Sequence, residues 1–532
     1  MTRGGLRRKI GDVLARVFSA ALVGVEAALI RVEVDVAPGL PAFSTVGLPD
    51  SAVKESRERV RTAIRNAGFP FPPDRITVNL APATFRKTGP SFDLPIALGI
   101  LAATGCVRDG RTPSIAVVGE LALDGNIQPV QGVLAVALAC RRRGIERLVV
   151  PAGNQAEAAL VDGITVLAAS TLAEAIAELN GEPVPASDGI ARPFAAATAP
   201  AMSGAMPIAS ADEDVDFSDV RGQAHAKRAL EIAAAGGHNA LFIGPPGAGK
   251  TMLARRLPTI LPPLTAEETI EVSTIWSVAG LLNASAGLMR ARPFRAPHHT
   301  ISTAALVGGG NPPRPGEITL AHRGVLFMDE FPEFAVNVLE SLRQPLEDGR
   351  LTIARLRGVA HFPARIQLIA AANPCRRGCP SLERCLCTPG ERQRYLGRIS
   401  RPLLDRIDLH VELPALPSGE LRSEKSDEPS GIARARVVAA RARQTARLRG
   451  AAARTNAEMT HRSVVRFCAL APDAERILIT AIGRLSLSAR GHDRLLKVAR
   501  TIADLDGVDK IAAEHVAEAI QYRGLDRPWR GG

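Results

Sequence analysis

Residues 244–251 read GPPGAGKT, which fits the pattern G-x-x-x-x-G-K-[ST] of a phosphate-binding P-loop. Gly244, Pro245, Pro246, Gly247, Ala248 and Gly249 form a loop whose backbone N–H groups can converge on phosphate oxygens. Lys250 can reach the β- and γ-phosphates, and Thr251 can hold Mg²⁺. The expected ligand is ATP with Mg²⁺. About eighty residues later, GVLFMDE at 324–330 is an apolar run ending in two carboxylates. Asp329 suits the Mg²⁺ shell, and Glu330 suits the orientation or deprotonation of an attacking water. A third apolar run, LIAAAN at 368–373, ends in the amide of Asn373. Directly after it, Cys375, Cys379, Cys385 and Cys387 form C-x₃-C-x₅-C-x-C. Four thiolates this close suit a tetrahedral Zn²⁺ site, and reduced thiols in a loop are the plain alternative.

These groups need strands that end together. Residues 239–243 form an apolar run before the loop, and 252–257 have helical character after it. Upstream, 14–180 alternate between strand-like stretches (30–36, 76–80, 115–123, 148–150) and helical ones (50–67, 94–104, 133–143, 171–179). The fold class is therefore multidomain α/β. Residues 181–214 are rich in Ala, Pro, Ser and Gly and predict a flexible linker. The remaining divisions are an extension at 1–13, a nucleotide-binding α/β unit at 215–414, a second linker at 415–431 and a helical region at 432–532. Arg434, Arg436, Arg441, Arg443, Arg447 and Arg449 lie on one helical stretch and predict either phosphate contacts or a solvated face, the latter favoured.

The 532 residues carry a net charge of +12, which agrees with a polyanionic partner such as DNA. No apolar run reaches membrane-spanning length. Residues 17–30 imitate an export signal after Arg7, Arg8 and Lys9, but Glu26 interrupts them and a strand pattern follows, so a cytoplasmic chain without a membrane is expected. Seven cysteines, four of them clustered, point the same way. Cys106, Cys140 and Cys468 sit in apolar patterns as core residues.

KTGPSFDLP at 87–95 and GELALDG at 119–125 resemble the proteolytic domain of the Lon family. Ser91 matches its nucleophile, but Leu134 in VQGVLAV (130–136) stands where the lysine base belongs. The resemblance therefore implies a non-catalytic Lon-like α+β domain. DVRGQ at 219–223, RAPHHTIS at 295–302, GGG at 308–310, PRPGEI at 313–318 and RQPLEDG at 343–349 resemble the magnesium-chelatase-like AAA+ group, in its YifB/ComM branch. That resemblance implies a homo-hexameric ring with a helical C-terminal lid. It makes Asn373 the sensor beside the γ-phosphate and Arg406, in LLDRID at 403–408, the finger acting on the neighbouring subunit, with Arg401 as rival. Arg490 in SLSARG (486–491) would touch the nucleotide of its own subunit, ahead of Arg494 and Arg500. His298 and His299 would line a pore loop, and residues 349–355 a substrate-contacting β-hairpin. The implied function is a DNA motor, a branch-migration helicase acting in recombination and natural transformation (competence). The alternatives are a chelatase-type motor that remodels a protein partner and an ATP-dependent protease, the last disfavoured by Leu134.

Overall fold

The computed structural model describes residues 14–107, 114–183, 215–310, 313–355, 358–379, 385–415, 428–451, 453–485 and 487–524. The 1–13 extension and most of both expected linkers lie outside these residues.

Among the described residues, nine strands belong to the N-terminal part: β1 (Ala15–Val23), β2 (Glu26–Ala37), β3 (Ala42–Val46), β4 (Arg75–Ala81), β5 (Ile115–Val117), β6 (Glu120–Leu121), β7 (Ile127–Gln128), β8 (Arg147–Pro151) and β9 (Thr165–Ala169). Seven of them form one sheet in the order β3-β4-β2-β1-β5-β8-β9. The β1–β2 and β2–β4 pairs are antiparallel and the others parallel. The apolar run at 17–30 is thus a hairpin. Gly24 (φ +66°) makes its turn, and Glu26 pairs with Val23 where β2 opens. Helix Ser51–Asn66 starts where the Asp50 carboxylate accepts the Val53 N–H at 2.8 Å, and it buries the stripe Val53, Val60 and Ile64. Helix Asp93–Ala103 is buried along nearly its whole length. It lies so close to β2 that a Cβ on Gly99 would sit 2.6 Å from Val34 Cγ2.

The second sheet is parallel throughout. It comprises β10 (Ala240–Ile243), β11 (Phe294–Arg295), β14 (Val325–Met328), β17 (Gln367–Ala372) and β18 (Leu409–Glu412) in the order β11-β14-β17-β10-β18. Two small hairpins flank it, β12 (Gly308–Gly309) with β13 (Arg314–Pro315), and β15 (Arg350–Arg355) with β16 (Gly358–Pro363). Both faces are covered, so the strands read as continuous apolar runs. Ala240 and Phe242 face one core, and Leu241 and Ile243 face the other.

The first of those cores is shared with the C-terminal helices Ser430–Arg447, Ala489–Leu505 and Ala513–Gln521, through Val437, Leu495, Ile502 and Tyr522. The second linker therefore ends earlier than 431. Ser430 opens a helix, its N–H bonds to Asp216, and its Oγ accepts the Phe217 N–H at 2.7 Å. The arginines of this helix also depart from expectation. Arg436 pairs with Glu231 and Glu428, Arg441 donates to the Ala234 carbonyl, and Arg447 pairs with Asp504. Only Arg434, Arg443 and Arg449 of the six are exposed.

The two sheets are docked on each other. Gly132 N–H donates to the Ser277 carbonyl at 3.1 Å, and Glu157 accepts both the Ser277 hydroxyl and the Leu134 N–H. Leu282 packs into the N-terminal core beside Leu134. The tip of the β1–β2 turn meets β16, where a Cβ on Gly24 would lie 2.8 Å from the His361 carbonyl oxygen.

A buried polar chain fixes the C-terminal helices to the start of the second sheet. His238 bonds to Asp408 at 3.2 Å and to Thr501 at 2.8 Å, and Asn456 bonds to Thr501 and Asp504. Burial opposes ionisation of Asp408, but the His238 bond and the His238 and Arg494 charges outweigh it and hold its pKa well below the carboxylate range. The stability carried by this carboxylate is present above its unfolded-state value and is lost as pH falls toward the folded one. Asp408→Asn should cost about 3 kcal/mol at neutral pH. Urea unfolding measures this, and an unchanged midpoint would refute the assignment.

Candidate active site

The P-loop leaves the carboxyl end of β10. Gly247 (φ +79°) and Gly249 (φ +89°) occupy left-handed backbone that a side chain would strain. Gln223 holds the loop from below, its amide donating to the Ala248 carbonyl at 3.3 Å and to the Pro414 carbonyl at 3.0 Å. Lys250 opens helix Lys250–Ile260 with its side chain buried. Its ammonium donates to Gly244 O at 2.6 Å, Pro245 O at 2.9 Å and Asn373 Oδ1 at 3.1 Å. Burial lowers its pKa, against the pull of the Asp329 and Glu330 carboxylates.

Thr251 Oγ1 donates to Asp329 Oδ2 at 2.7 Å. One hydroxyl and one carboxylate oxygen are thus already paired where Mg²⁺ would be shared. Glu330 stands in left-handed backbone (φ +52°), an unusual conformation for a non-glycine residue, and its carboxylate is 53% exposed. The His299 ring meets it, with Nδ1 3.3 Å from Glu330 Oε2. His299 thus stands beside the expected base. His298 lies against it, ring centroids 4.1 Å apart. Sequence reasoning missed this pairing because the two residues are thirty positions apart, and only the β11–β14 contact brings them together.

Asn373 ends β17, and the cysteines follow it. The Sγ atoms of Cys375, Cys379, Cys385 and Cys387 all lie within 4.8 Å of one another. Hydrogen bonding from the Cys387 backbone lowers the Cys385 pKa to about 7, and burial raises that of Cys387 to about 11.

The arginines lie elsewhere. Arg406 precedes β18, at the end of the sheet opposite the P-loop, since β18 runs parallel to β10. It is buried, ion-paired with Glu347, and donates to the Pro402 carbonyl at 2.6 Å. Arg490 is bound to the same Glu347 at 3.4 Å. In this subunit Arg490 therefore stands beside Arg406 and not beside the P-loop. The helix Ala489–Leu505 packs at the amino ends of the strands, through Arg494 to Asp408 and Thr501 to His238, and carries Arg490 to Arg406 instead. Arg500 is buried against Asp504 and the Val508 and Asp509 carbonyls, Arg494 is half-buried beside Asp408, and Arg401 is exposed. A cleft of about 580 Å³ lined by Thr303, Arg343, Gln344, Glu347 and Arg406 opens at this end.

In the N-terminal sheet, Ser91 lies in a short 3₁₀ turn and its carbonyl accepts the Gly119 N–H. Lys87 is fully buried, its ammonium held by the Pro82 and Phe85 carbonyls, while Lys54 is exposed. Leu134 is packed in the core with Val118 and Leu148. Asp93 is bound by Arg59 at 2.7 Å and 3.1 Å, a structural pairing.

Three segments match the chelatase families. Residues 216–421 match magnesium chelatase, subunit ChlI; 32–154 match subunit ChlI of Mg-chelatase; and 427–523 match the ChlI C-terminal family. Competence protein ComM of Haemophilus influenzae is 44% identical over 517 residues, covering 97% of this chain and 98% of that protein. YifB of Escherichia coli is 43% identical over 517 residues, with the same coverage. The chain belongs to the YifB/ComM family. Its N-terminal part is also similar to Lon protease 2 of Bacillus subtilis, 31% identical over 135 residues, 25% of this chain and 24% of the protease. Membership in the YifB/ComM family implies an AAA+ ATPase using ATP and Mg²⁺, and the residues fit. Lys250 and the P-loop N–H groups would hold the phosphates, with Thr251 and Asp329 in the Mg²⁺ shell. Bound Mg²⁺ would neutralise developing phosphate charge. No helix among the described residues is long and apolar enough to cross a membrane.

Glu330→Gln should lower ATP turnover at least ~100-fold while ATP binding persists. Turnover at the wild-type rate in a steady-state phosphate-release assay would remove Glu330 as the base. His299→Ala should lower kcat and leave ATP affinity unchanged, because the ring meets the carboxylate and not the P-loop.

Proposed function

We propose that this chain is the subunit of a homo-hexameric ring that hydrolyses ATP to move branched or single-stranded DNA. The observation that carries the ring is the division of the catalytic set across the second sheet. Lys250, Thr251, Asp329, Glu330 and Asn373 gather at the carboxyl ends, while Arg406 and Arg490 gather at the amino ends around Glu347. An arginine that cannot reach its own phosphate can complete a neighbour's site, where such a group is worth ~10³–10⁵ in rate.

DNA as the polymer is supported by the likeness to a competence protein along almost the whole chain. The net charge of +12 agrees with it. The hairpin of β15 and β16 carries Arg350, Arg355 and His361 and is the expected substrate-contacting device. In this reading the Lon-like sheet is a scaffold, since neither Lys87 nor Leu134 offers Ser91 a free base.

Two experiments test the reading. Arg406→Ala and Glu330→Gln subunits, each nearly inactive alone, should regain ATPase when mixed, because the second supplies a finger to the first. No recovery would argue against action between subunits. Purified protein with ATP should migrate a labelled three- or four-stranded junction, and Lys250→Ala should not. Robust ATPase without junction binding or movement would overturn the DNA assignment in favour of a chelatase-type motor acting on a protein.

A further inference from the structure

We infer that Cys375, Cys379, Cys385 and Cys387 hold one Zn²⁺ and that this metal sets the shape of the nucleotide loop. The second half of the inference rests on the P-loop reading above. The four sulfurs lie within 4.8 Å of one another, and Cys375, Cys379 and Cys387 are buried. In a tetrahedral site with Zn–S bonds near 2.3 Å the sulfurs stand about 3.8 Å apart, so a small contraction closes the cage. An all-sulfur donor set selects zinc over Mg²⁺, which prefers oxygen. The backbone already supplies an outer-shell bond, as Cys379 N–H donates to Cys375 Sγ at 3.3 Å. Each thiol loses its proton to solvent as its S–Zn bond forms, with no change of oxidation state. Four thiolates and one Zn²⁺ leave a net negative charge. Arg376 and Arg377 on the same loop and Arg392 on helix Pro389–Leu396 stand ready to offset it.

Two contacts tie this cage to ATP. Cys375 follows Asn373 by two residues, and Asn373 Oδ1 is 3.1 Å from the Lys250 ammonium. Gly378 lies on the P-loop itself. Its φ is +64°, and a Cβ there would come within 2.8 Å of Pro246 Cγ. The cage therefore holds the chain at one end against the lysine and at the other against the loop. Without metal, Asn373 and Pro246 lose a common anchor.

The test uses the full chain, purified without chelator. Elemental analysis should find about one zinc per chain, and the cobalt-exchanged protein should show the strong visible bands of tetrahedral thiolate coordination. Cys385→Ser/Cys387→Ser should lose the metal. Stripping zinc from the wild-type chain should weaken fluorescent ADP binding about tenfold, with recovery on adding zinc back. Gly378→Ala, which keeps all four thiols, should retain zinc yet bind ADP more weakly. A chain without zinc whose cobalt spectrum is octahedral overturns the site. A zinc-loaded Gly378→Ala chain with wild-type ADP affinity overturns the coupling. A zinc-loaded wild-type chain that binds no nucleotide overturns the P-loop reading, and the coupling with it, while leaving the metal site established.

Discussion

A buried ammonium at the carboxyl end of a parallel sheet is the constraint from which the motor follows. Taking the Lys250 charge out of water is costly unless oxygen acceptors surround it. Gly244, Pro245 and Asn373 provide them, and Asp329 and Glu330 face it from the next strand but one. For those groups to converge, β10, β17 and β14 must lie side by side and end at the same level, as they do. The apolar runs enforce the level. Each strand is buried on both faces, and sliding β14 inward by a residue would drive Asp329 into a core of Leu241, Met328 and Leu368.

The opposite end of the same sheet answers to a different demand. Asp408 precedes β18 and is surrounded by His238, the Asn239 N–H and Arg494. Because those partners come from two separate segments, the C-terminal helices cannot swing freely without leaving a buried carboxylate short of a partner. The rigid seat of helix Ala489–Leu505 explains why Arg490 lies beside Arg406 and shares Glu347 with it. Burial and the like charges of Arg343, Arg490 and Arg494 all lower the Arg406 pKa. Two arginines, Arg406 and Arg490, that share the one carboxylate of Glu347 are suited to bind phosphate oxygens from outside the subunit, which gives the proposed ring its chemical motive.

What was legible in the sequence was what is local. The P-loop, the Asp329–Glu330 pair, Asn373 and the cysteine cluster are contiguous strings, and each lies where its string implies. The helix at 50–67 announced itself by the helical spacing of its apolar residues. The rest depended on contacts between distant segments. The β1–β2 hairpin read as an apolar run because nothing in 17–30 shows that its halves pair with each other. The nearness of His299 to Glu330 could not be read because it is set by two strands meeting. The arginines at 436, 441 and 447 read as a solvated face because their partners, Glu231, Ala234 and Asp504, lie dozens to hundreds of positions away. The place of Arg490 beside Glu347 could not be read, because the motif records that an arginine is present and not which way its helix is seated.

Leu134 shows how a catalytic position is converted into a structural one. A lysine there would need access to Ser91 and to water, whereas this position faces Val118, Leu148 and Val150. Its backbone N–H is bound to Glu157, the same carboxylate that takes the Ser277 hydroxyl from the motor. The segment that would have carried the base now forms the seam between the sheets, with Gly132 bonded to Ser277 and Gly280 pressed against Gln131. A charged side chain at the centre of that seam would cost more in desolvation than one hydrogen bond returns. The Lon-like sheet, held at this seam and at the His361 carbonyl of the β15–β16 hairpin, sits where motion of the hairpin must be felt.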